Sequence, residues 1–171
     1  MSSFVAPYGL VPPDHRLPGE IHLGPVHLQV SDLARSLEYY ERVLGLKRFP
    51  EGSRTAVLGD QAGHRALVFL HEHRGAAPAP RRGLLGLFHF AILLPDRASL
   101  GRFLTHLAEA GVAAGSADHA VSEALYLRDP DGNGVELYRD KPKAEWPRTA
   151  EGALSMITKR LDLDALLAEG R

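Results

Sequence analysis

The 171-residue chain contains no cysteine. Disulfide bonds and thiolate metal ligands are therefore excluded, and any bound metal must be held by histidine, aspartate or glutamate. The chain also lacks a dominant charge, because 20 basic and 21 acidic residues leave a formal net charge of -1 and no long block carries one sign. This charge distribution lacks the basic patch that is typical of nucleic-acid binding. We therefore expect a small-molecule ligand and no nucleic-acid partner.

Long hydrophobic runs are absent as well. No apolar stretch is long enough to span a bilayer, and residues 1–7 do not combine basic residues with a following apolar run. These absences predict a cytoplasmic protein without a membrane partner. With a hydrophobic content of 44%, the chain is nevertheless able to bury a core as one domain made of two small modules.

Two segments of the chain repeat one another. The first starts with an apolar strand, residues 26–30, that contains His27. Ser31 and Asp32 follow, and their short oxygen-bearing side chains are suited to cap a helix. Apolar residues then recur at helical spacing until Gly45, which ends the predicted helix. The pattern predicts a strand and a helix, followed by two or three further strands.

The second segment has the same order. It contains an apolar strand at residues 88–94 with His89, a predicted helix at roughly 99–110, and a helix-ending Gly111. Residues 129–134 combine proline, aspartate, asparagine and glycine, a composition that predicts the tight turn of a hairpin. Each module is therefore predicted to contain one helix and three or four strands.

The remaining segments flank the two modules. In the predicted tail, the chain turns helical from about Glu151 and ends in a short helix with a leucine stripe. We predict an extended arm at residues 1–20, a domain at 21–142 whose modules span about 21–73 and 84–142, and the tail at 143–171.

The two repeated histidines point to a metal site. A lone histidine in an apolar strand is more often a packed core residue than a ligand. Here His27 and His89 occupy equivalent positions of the repeat, and Glu136 lies within an apolar strand where an unpaired carboxylate would be costly. The three side chains are therefore predicted to converge as the ligands of one metal ion.

The motifs resemble the vicinal oxygen chelate superfamily. That superfamily includes glyoxalase I, bleomycin-binding proteins, fosfomycin-resistance enzymes and extradiol catechol dioxygenases. The resemblance covers about residues 21–138 and implies an α+β fold, in which two tandem βαβββ modules form a cupped mixed sheet around the metal. Its most specific elements are the strand of His27 with the helix that follows, the segment Phe88-His89-Phe90, and the run Asp129-Pro130-Asp131-Gly132-Asn133-Gly134-Val135-Glu136.

The number of ligands narrows the choice within the superfamily. Glyoxalase I-like members carry a fourth ligand, an acid late in the first module. Aligning residues 63–68 with residues 133–136 places Ala66, Leu67 or Val68 at that position, and none of these can bind a metal. Two histidines and one carboxylate with open positions suit a non-heme Fe(II) that must bind a bidentate substrate and O2. Mn(II) or another divalent metal is the alternative, because fosfomycin-resistance enzymes also use three protein ligands.

Two residues between the ligands favour the catechol 2,3-dioxygenase-like branch. Extradiol dioxygenases place a histidine and a tyrosine upstream of the glutamate ligand, and His119 and Tyr126 follow that order before Glu136. The resemblance implies that His119 hydrogen-bonds a substrate oxygen and that Tyr126 stabilises enolate-like charge. It also implies that His64 serves as an acid/base group. The alternative to these catalytic roles is a purely structural one, in which His119 is a surface residue and Tyr126 is a sheet aromatic. His71 is expected to be solvated.

The implied function is cleavage of a catechol-like aromatic ring with O2. One alternative is a small-molecule binding protein of the bleomycin-resistance type. Another is a metal-dependent lyase or transferase of the glyoxalase or fosfomycin-resistance type. We also predict a homodimer, because a cupped sheet leaves strand edges uncovered and the tail helix has an apolar face.

Overall fold

The computed structural model of the chain describes residues 17–50, 52, 54–78 and 86–171. The predicted arm at residues 1–20 falls mostly outside the described residues, and residues 17–20 are exposed. Within the described part of the chain, no helix combines the length and the apolar character needed to cross a membrane.

The first module folds around one four-stranded sheet. Asp32 caps its helix as predicted, since the carboxylate accepts a hydrogen bond from the backbone N–H of Arg35. The sheet has the order β1-β4-β3-β2, with β1 parallel to β4 and the other pairs antiparallel. Its elements are β1 (Val26–Val30), α1 (Leu33–Arg42), β2 (Lys47–Phe49), β3 (Thr55–Gly59) and β4 (Ala66–Glu72).

The second module repeats this topology. Asp96 caps α2 in the same way that Asp32 caps α1, and the strand order is β5-β8-β7-β6 with β5 parallel to β8. The prediction of an α+β fold with two tandem βαβββ modules is confirmed. The elements are β5 (Phe90–Leu93), α2 (Arg97–Glu109), β6 (Gly115–Asp118), β7 (Ser122–Arg128) and β8 (Gly134–Asp140), followed by a short 3-10 helix, Lys143–Glu145, and α3 (Leu163–Glu169).

Strand alternation gives each sheet one buried and one open face. On β1, Leu28 and Val30 are buried in the same core cluster as residues of α1, so the neighbouring His27 and Gln29 project from the opposite face. On β8, Val135 and Leu137 are buried and Glu136 faces the open side. The polar residues that the sequence singles out therefore lie on the faces that the helices do not cover.

The turn between β7 and β8 holds the two modules together. The Asp131 carboxylate accepts hydrogen bonds from the Ser31 hydroxyl and, at 2.9 Å, from Arg35. The Tyr40 hydroxyl donates to Asp129 Oδ2 at 3.0 Å, and both aspartates are 4% exposed. Burial, together with the charge of Asp129, raises the pKa of Tyr40, which keeps the hydroxyl protonated as a donor. The turn predicted from composition is therefore also an inter-module contact.

The tail departs from the prediction. We call residues 147–160 the C-terminal strap. The sequence predicts a helical chain from about Glu151, but the strap contains no helix. It forms isolated β-bridges instead, and Gly152 has a φ of 83°, outside the helical region. The helix starts only at Leu163, where Asp162 caps it.

The C-terminal helix α3 packs on α2. Leu166 is fully buried, and a Cβ added at Gly101 of α2 would lie 2.4 Å from the Leu166 carbonyl oxygen, so the two backbones are in close contact. The apolar face of the tail is thus covered by the same chain. It no longer argues for a second copy, and the case for a dimer depends on the uncovered strand edges.

A buried ion pair anchors β6 to the chain that follows β8. The Asp118 side chain accepts hydrogen bonds from Lys141 Nζ at 2.8 and 2.9 Å and from the Ala120 N–H at 2.8 Å, and Lys159 Nζ lies 3.4 Å away. Burial alone raises the pKa of Asp118, but Lys141, the Ala120 N–H and Lys159 outweigh it and hold this pKa below its usual range.

Replacing Lys141 with methionine is expected to destabilise the protein by about 1–3 kcal/mol at pH 7, because it leaves Asp118 buried without its main partner. A depressed folded-state pKa stabilises the fold above the unfolded pKa, and this contribution is lost as the pH falls through the folded pKa. The penalty should therefore shrink in acid. Urea unfolding at pH 7 and at acid pH measures it, with Lys143→Met at an exposed lysine as the matched control. An equal penalty at both pH values would contradict this assignment.

Candidate active site

A cavity of about 970 Å³ opens on the uncovered face of the second sheet. Its walls come from β5, β7 and β8 and from the C-terminal strap, and apolar surface predominates among them. The polar side chains that reach it include His89, His119, Tyr126, Glu136 and Thr158. A large, mostly apolar pocket with a few converging polar groups is typical of a small-molecule site.

His89 and Glu136 form a close pair in this cavity. His89 Nε2 lies 2.7 Å from Glu136 Oε2, and the two side chains are 29% and 12% exposed. Strand register brings the two side chains together. Glu136 lies opposite Ala91 of β5 and opposite Tyr126 of β7, and His89 immediately precedes β5. Two of the three predicted metal ligands are therefore adjacent and accessible from the cavity.

Tyr126 and His119 extend the polar cluster. The Tyr126 hydroxyl lies 2.8 Å from His119 Nε2, and His119 Nδ1 lies 3.1 Å from the Thr158 hydroxyl oxygen. Burial, with the charge of Glu136 and a hydrogen bond to it, raises the pKa of Tyr126 to about 12. The phenol is therefore protonated at neutral pH and able to donate a hydrogen bond. Four of the six predicted site residues come together in this cavity.

His27 lies elsewhere, on the open face of the first sheet. Its Nδ1 is 3.0 Å from His71 Nε2, and its ring stacks on Phe69 with centroids 4.4 Å apart. Among the residues that the structure describes, no three His, Cys, Asp or Glu side chains are grouped closely enough to hold a metal ion. Within one chain, His27 therefore does not complete the pair of His89 and Glu136.

His64 lies outside the cavity as well. It occupies the exposed turn before β4, where its backbone N–H donates to Asp60 Oδ1 at 3.1 Å. This turn is at the start of β4, whereas the histidine that contacts His27 is His71, near the end of the same strand. Within one chain, His64 therefore lies apart from the other predicted site residues.

The register of β4 shows what the alignment missed. The repeat equates His27 with His89, and therefore Gln29 with Ala91. Gln29 pairs with His71, and Ala91 pairs with Glu136. His71 thus occupies the position in the first module that Glu136 occupies in the second.

The predicted alignment of this position with Ala66, Leu67 or Val68 is wrong. It treated the turns before β4 and β8 as equivalent, but β1 meets β4 only from Val68 onward. The alternation of buried Val68 and Leu70 was the signal that could have found His71, since it places that histidine on the open face. His71 is exposed, as expected, yet it is bound to His27.

Comparisons with known proteins agree with this architecture. Residues 22–137 match the sequence profile of the Glyoxalase/Bleomycin resistance protein/Dioxygenase superfamily. The chain is 47% identical over 150 residues to the catechol-2,3-dioxygenase of Bacillus subtilis (strain 168), covering 88% of this chain and 52% of that protein. It is 30% identical over 114 residues to biphenyl-2,3-diol 1,2-dioxygenase 3 of Rhodococcus globerulus, covering 66% of this chain and 60% of that protein. The chain thus spans about half the length of these relatives.

Solved structures share the fold. A glyoxalase/dioxygenase from Nostoc punctiforme matches with a TM-score of 0.61 at 18% identity, covering 79% of this chain and 99% of that chain. A glyoxylase/bleomycin resistance protein/dioxygenase domain from Frankia sp. EAN1pec matches with a TM-score of 0.60 at 23% identity, covering 72% of this chain and 94% of that chain. At these identities the likeness concerns the fold alone, and it agrees with the two-module topology.

Proposed function

Because the chain belongs to the Glyoxalase/Bleomycin resistance protein/Dioxygenase superfamily, we propose that it is a metal-dependent, extradiol-type dioxygenase that cleaves the ring of a catechol-like aromatic with O2. The observation that carries this proposal is the convergence of two pairs in one cavity: His89 with Glu136, and His119 with Tyr126. The first pair offers metal-ligand atoms, and the second offers hydrogen-bonding groups for a substrate oxygen.

The first pair fits a divalent metal. Two ligand atoms bound to one ion at about 2.0–2.2 Å lie about 3 Å apart, close to the 2.7 Å between His89 Nε2 and Glu136 Oε2. Nitrogen and oxygen donors suit Fe(II), our first choice, and also Mn(II). When bound, the metal would bring the vicinal oxygens of the substrate and O2 together and neutralise developing charge.

The surroundings of His27 also suit a metal ligand. A metal-ligating histidine usually donates its second ring N–H to a neighbouring group, which fixes the tautomer. The contact between His27 Nδ1 and His71 Nε2 is of this kind and leaves His27 Nε2 available for the metal. We assign His27 as the third ligand on this basis, with His71 as the group that orients it.

We further propose that a second copy of the chain brings His27 to the pair of His89 and Glu136. His27 is exposed, and the strand that bears it, β1, is an edge strand of its sheet, as β5 is of the other. Beside His89, Phe88 is 79% exposed, and Leu93 of β5 is 54% exposed. Apolar side chains along an unpaired sheet edge are typical of an interface. A homodimer would bury this edge and complete two equivalent sites.

The remaining side chains supply proton chemistry. The protonated Tyr126 hydroxyl can donate a hydrogen bond to a substrate oxygen as negative charge develops on it. His119 Nε2, which contacts that hydroxyl, can share its proton or hydrogen-bond the same oxygen. We assign the acid/base role expected of His64 to His71 instead, because His71 lies beside the proposed ligand His27, whereas His64 lies in the turn before the other end of β4.

The cavity walls suit an aromatic substrate. Phe88, Ala91, Val135 and Met156 provide apolar surface around the polar cluster. With about 970 Å³ available, the cavity has room for a catechol ring with substituents. Ring faces pack well on such side chains, while the two adjacent hydroxyls would point to the polar cluster.

Ring cleavage is directly measurable. Protein loaded anaerobically with Fe(II) is expected to consume O2 when mixed with catechol or substituted catechols in air, and to develop the yellow absorbance of a hydroxymuconic semialdehyde type of product. Omission of the metal is the control. If a broad panel of catechols gives no O2 uptake with iron verified in place, the dioxygenase proposal fails. Tight calorimetric binding of the same compounds without turnover would then support a sequestering protein.

A further inference from the structure

The C-terminal strap, residues 147–160, crosses the open face of the second module at the edge strand β6. Asp118 of β6 and Lys159 exchange two backbone hydrogen bonds of 2.9 Å each. The strap is also closed on itself, because the Ser155 N–H donates to the Pro147 carbonyl at 2.8 Å. These bonds place residues 156–159 next to the cavity, and Met156 and Thr158 form part of its wall.

Thr158 contacts His119, a member of the polar cluster in the cavity, directly. Its hydroxyl oxygen lies 3.1 Å from His119 Nδ1, while the other ring nitrogen, Nε2, lies 2.8 Å from the Tyr126 hydroxyl. Both nitrogens of the imidazole are therefore engaged, one by the sheet and one by the strap. An imidazole that is hydrogen-bonded at both ring nitrogens has a fixed orientation, whereas one that is hydrogen-bonded at a single nitrogen can rotate.

The backbone around His119 is held as tightly as its ring. The next residue, Ala120, has a φ of 68°, a left-handed conformation that non-glycine residues rarely adopt. Asp118 holds the turn by accepting the Ala120 N–H at 2.8 Å, and the His119 N–H donates to the Ser122 carbonyl at 2.9 Å. Strained turns persist where the surrounding structure holds them, and they cluster at functional sites.

We propose that Thr158 is a positioning residue that sets the ring orientation of His119, so that the C-terminal strap forms part of the active site. The catalytic consequence depends on the proposed dioxygenase function, but the orientation of the ring does not. In this assignment Thr158 contributes to catalysis only through His119 and does not itself contact the reacting atoms.

The test compares two substitutions of similar size. Thr158→Val removes the hydroxyl and keeps the shape, and Thr158→Ser keeps the hydroxyl. In histidine-labelled protein with Zn(II) as a diamagnetic metal, the His119 ring-nitrogen NMR signals, assigned with His119→Ala, are expected to shift in Thr158→Val and to remain in place in Thr158→Ser. We expect kcat in the Fe(II) protein to fall roughly 3- to 10-fold in Thr158→Val, the loss of about one hydrogen bond, with KM nearly unchanged.

Two controls separate positioning from general stability. Thr149→Val makes the same change in the strap at an exposed threonine and should leave the His119 signals in place. In a His119→Ala background, Thr158→Val should cause no further loss of kcat, because residues that act as a unit are not additive. Unchanged His119 nitrogen signals in Thr158→Val would overturn the proposal whatever the activity. Shifted signals in a protein without dioxygenase activity would support the positioning role and refute only the proposed function.

Discussion

Co-expression of His27→Ala and Glu136→Ala, each expected to be inactive alone, should restore roughly a quarter of the wild-type activity and metal content if the site is shared across a dimer. Random pairing makes half of the dimers mixed. In each mixed dimer one site receives both substitutions and the other receives neither. Each variant alone should lose the metal, since the loss of one of three ligands removes much of a small chelate. Metal analysis of the purified dimers and O2 uptake measure both effects.

The matched control pairs His89→Ala with Glu136→Ala. His89 and Glu136 belong to the same half of the site, and their Nε2 and Oε2 atoms are 2.7 Å apart in one chain. Every site in a mixed dimer of these two variants therefore lacks a ligand. No restoration is expected from this pair. If His27→Ala and Glu136→Ala also fail to complement each other, the second copy does not supply His27. If all three single variants retain the metal, the ligand assignment itself is wrong.

Tyr126→Phe and His119→Ala are expected to lower kcat by roughly 10²–10⁴-fold while the metal content stays at the wild-type level. Neither residue belongs to the ligand set, so metal binding and catalysis can be separated. The phenol, whose pKa is raised to about 12, remains a hydrogen-bond donor at neutral pH, and phenylalanine keeps the ring but removes this donor. Steady-state O2 uptake, normalised to bound iron, measures the effect.

Tyr39→Phe is the control for this substitution. Tyr39 lies on α1, and its buried hydroxyl lacks a hydrogen-bond partner within the described part of the chain, so its removal should leave turnover unchanged. Wild-type kcat in Tyr126→Phe would show that the tyrosine is a sheet aromatic without a catalytic role. A loss of iron in the same variant would assign Tyr126 to the support of the metal site.

Local sequence patterns were sufficient to predict the modules. Asp32 and Asp96 cap the two helices through hydrogen bonds to N–H groups three residues further along the chain, so short-range composition contains this information. Short-range patterns failed in part of the tail, which was expected to be helical from about Glu151, whereas α3 spans only Leu163–Glu169.

The sequence by itself determined the repeat, the βαβββ order and the family, because each of these follows from residues close in the chain or from a motif. The tertiary structure alone decided that His71 rather than His64 contacts His27, that His27 stands apart from the pair, and that Thr158 holds His119. The physical reason is that these contacts join residues far apart in the chain. Strand register, module docking and the path of the C-terminal strap bring them together. The alternation of Val68 and Leu70 places His71 on the open face, but it does not identify the residue of another strand that His71 contacts.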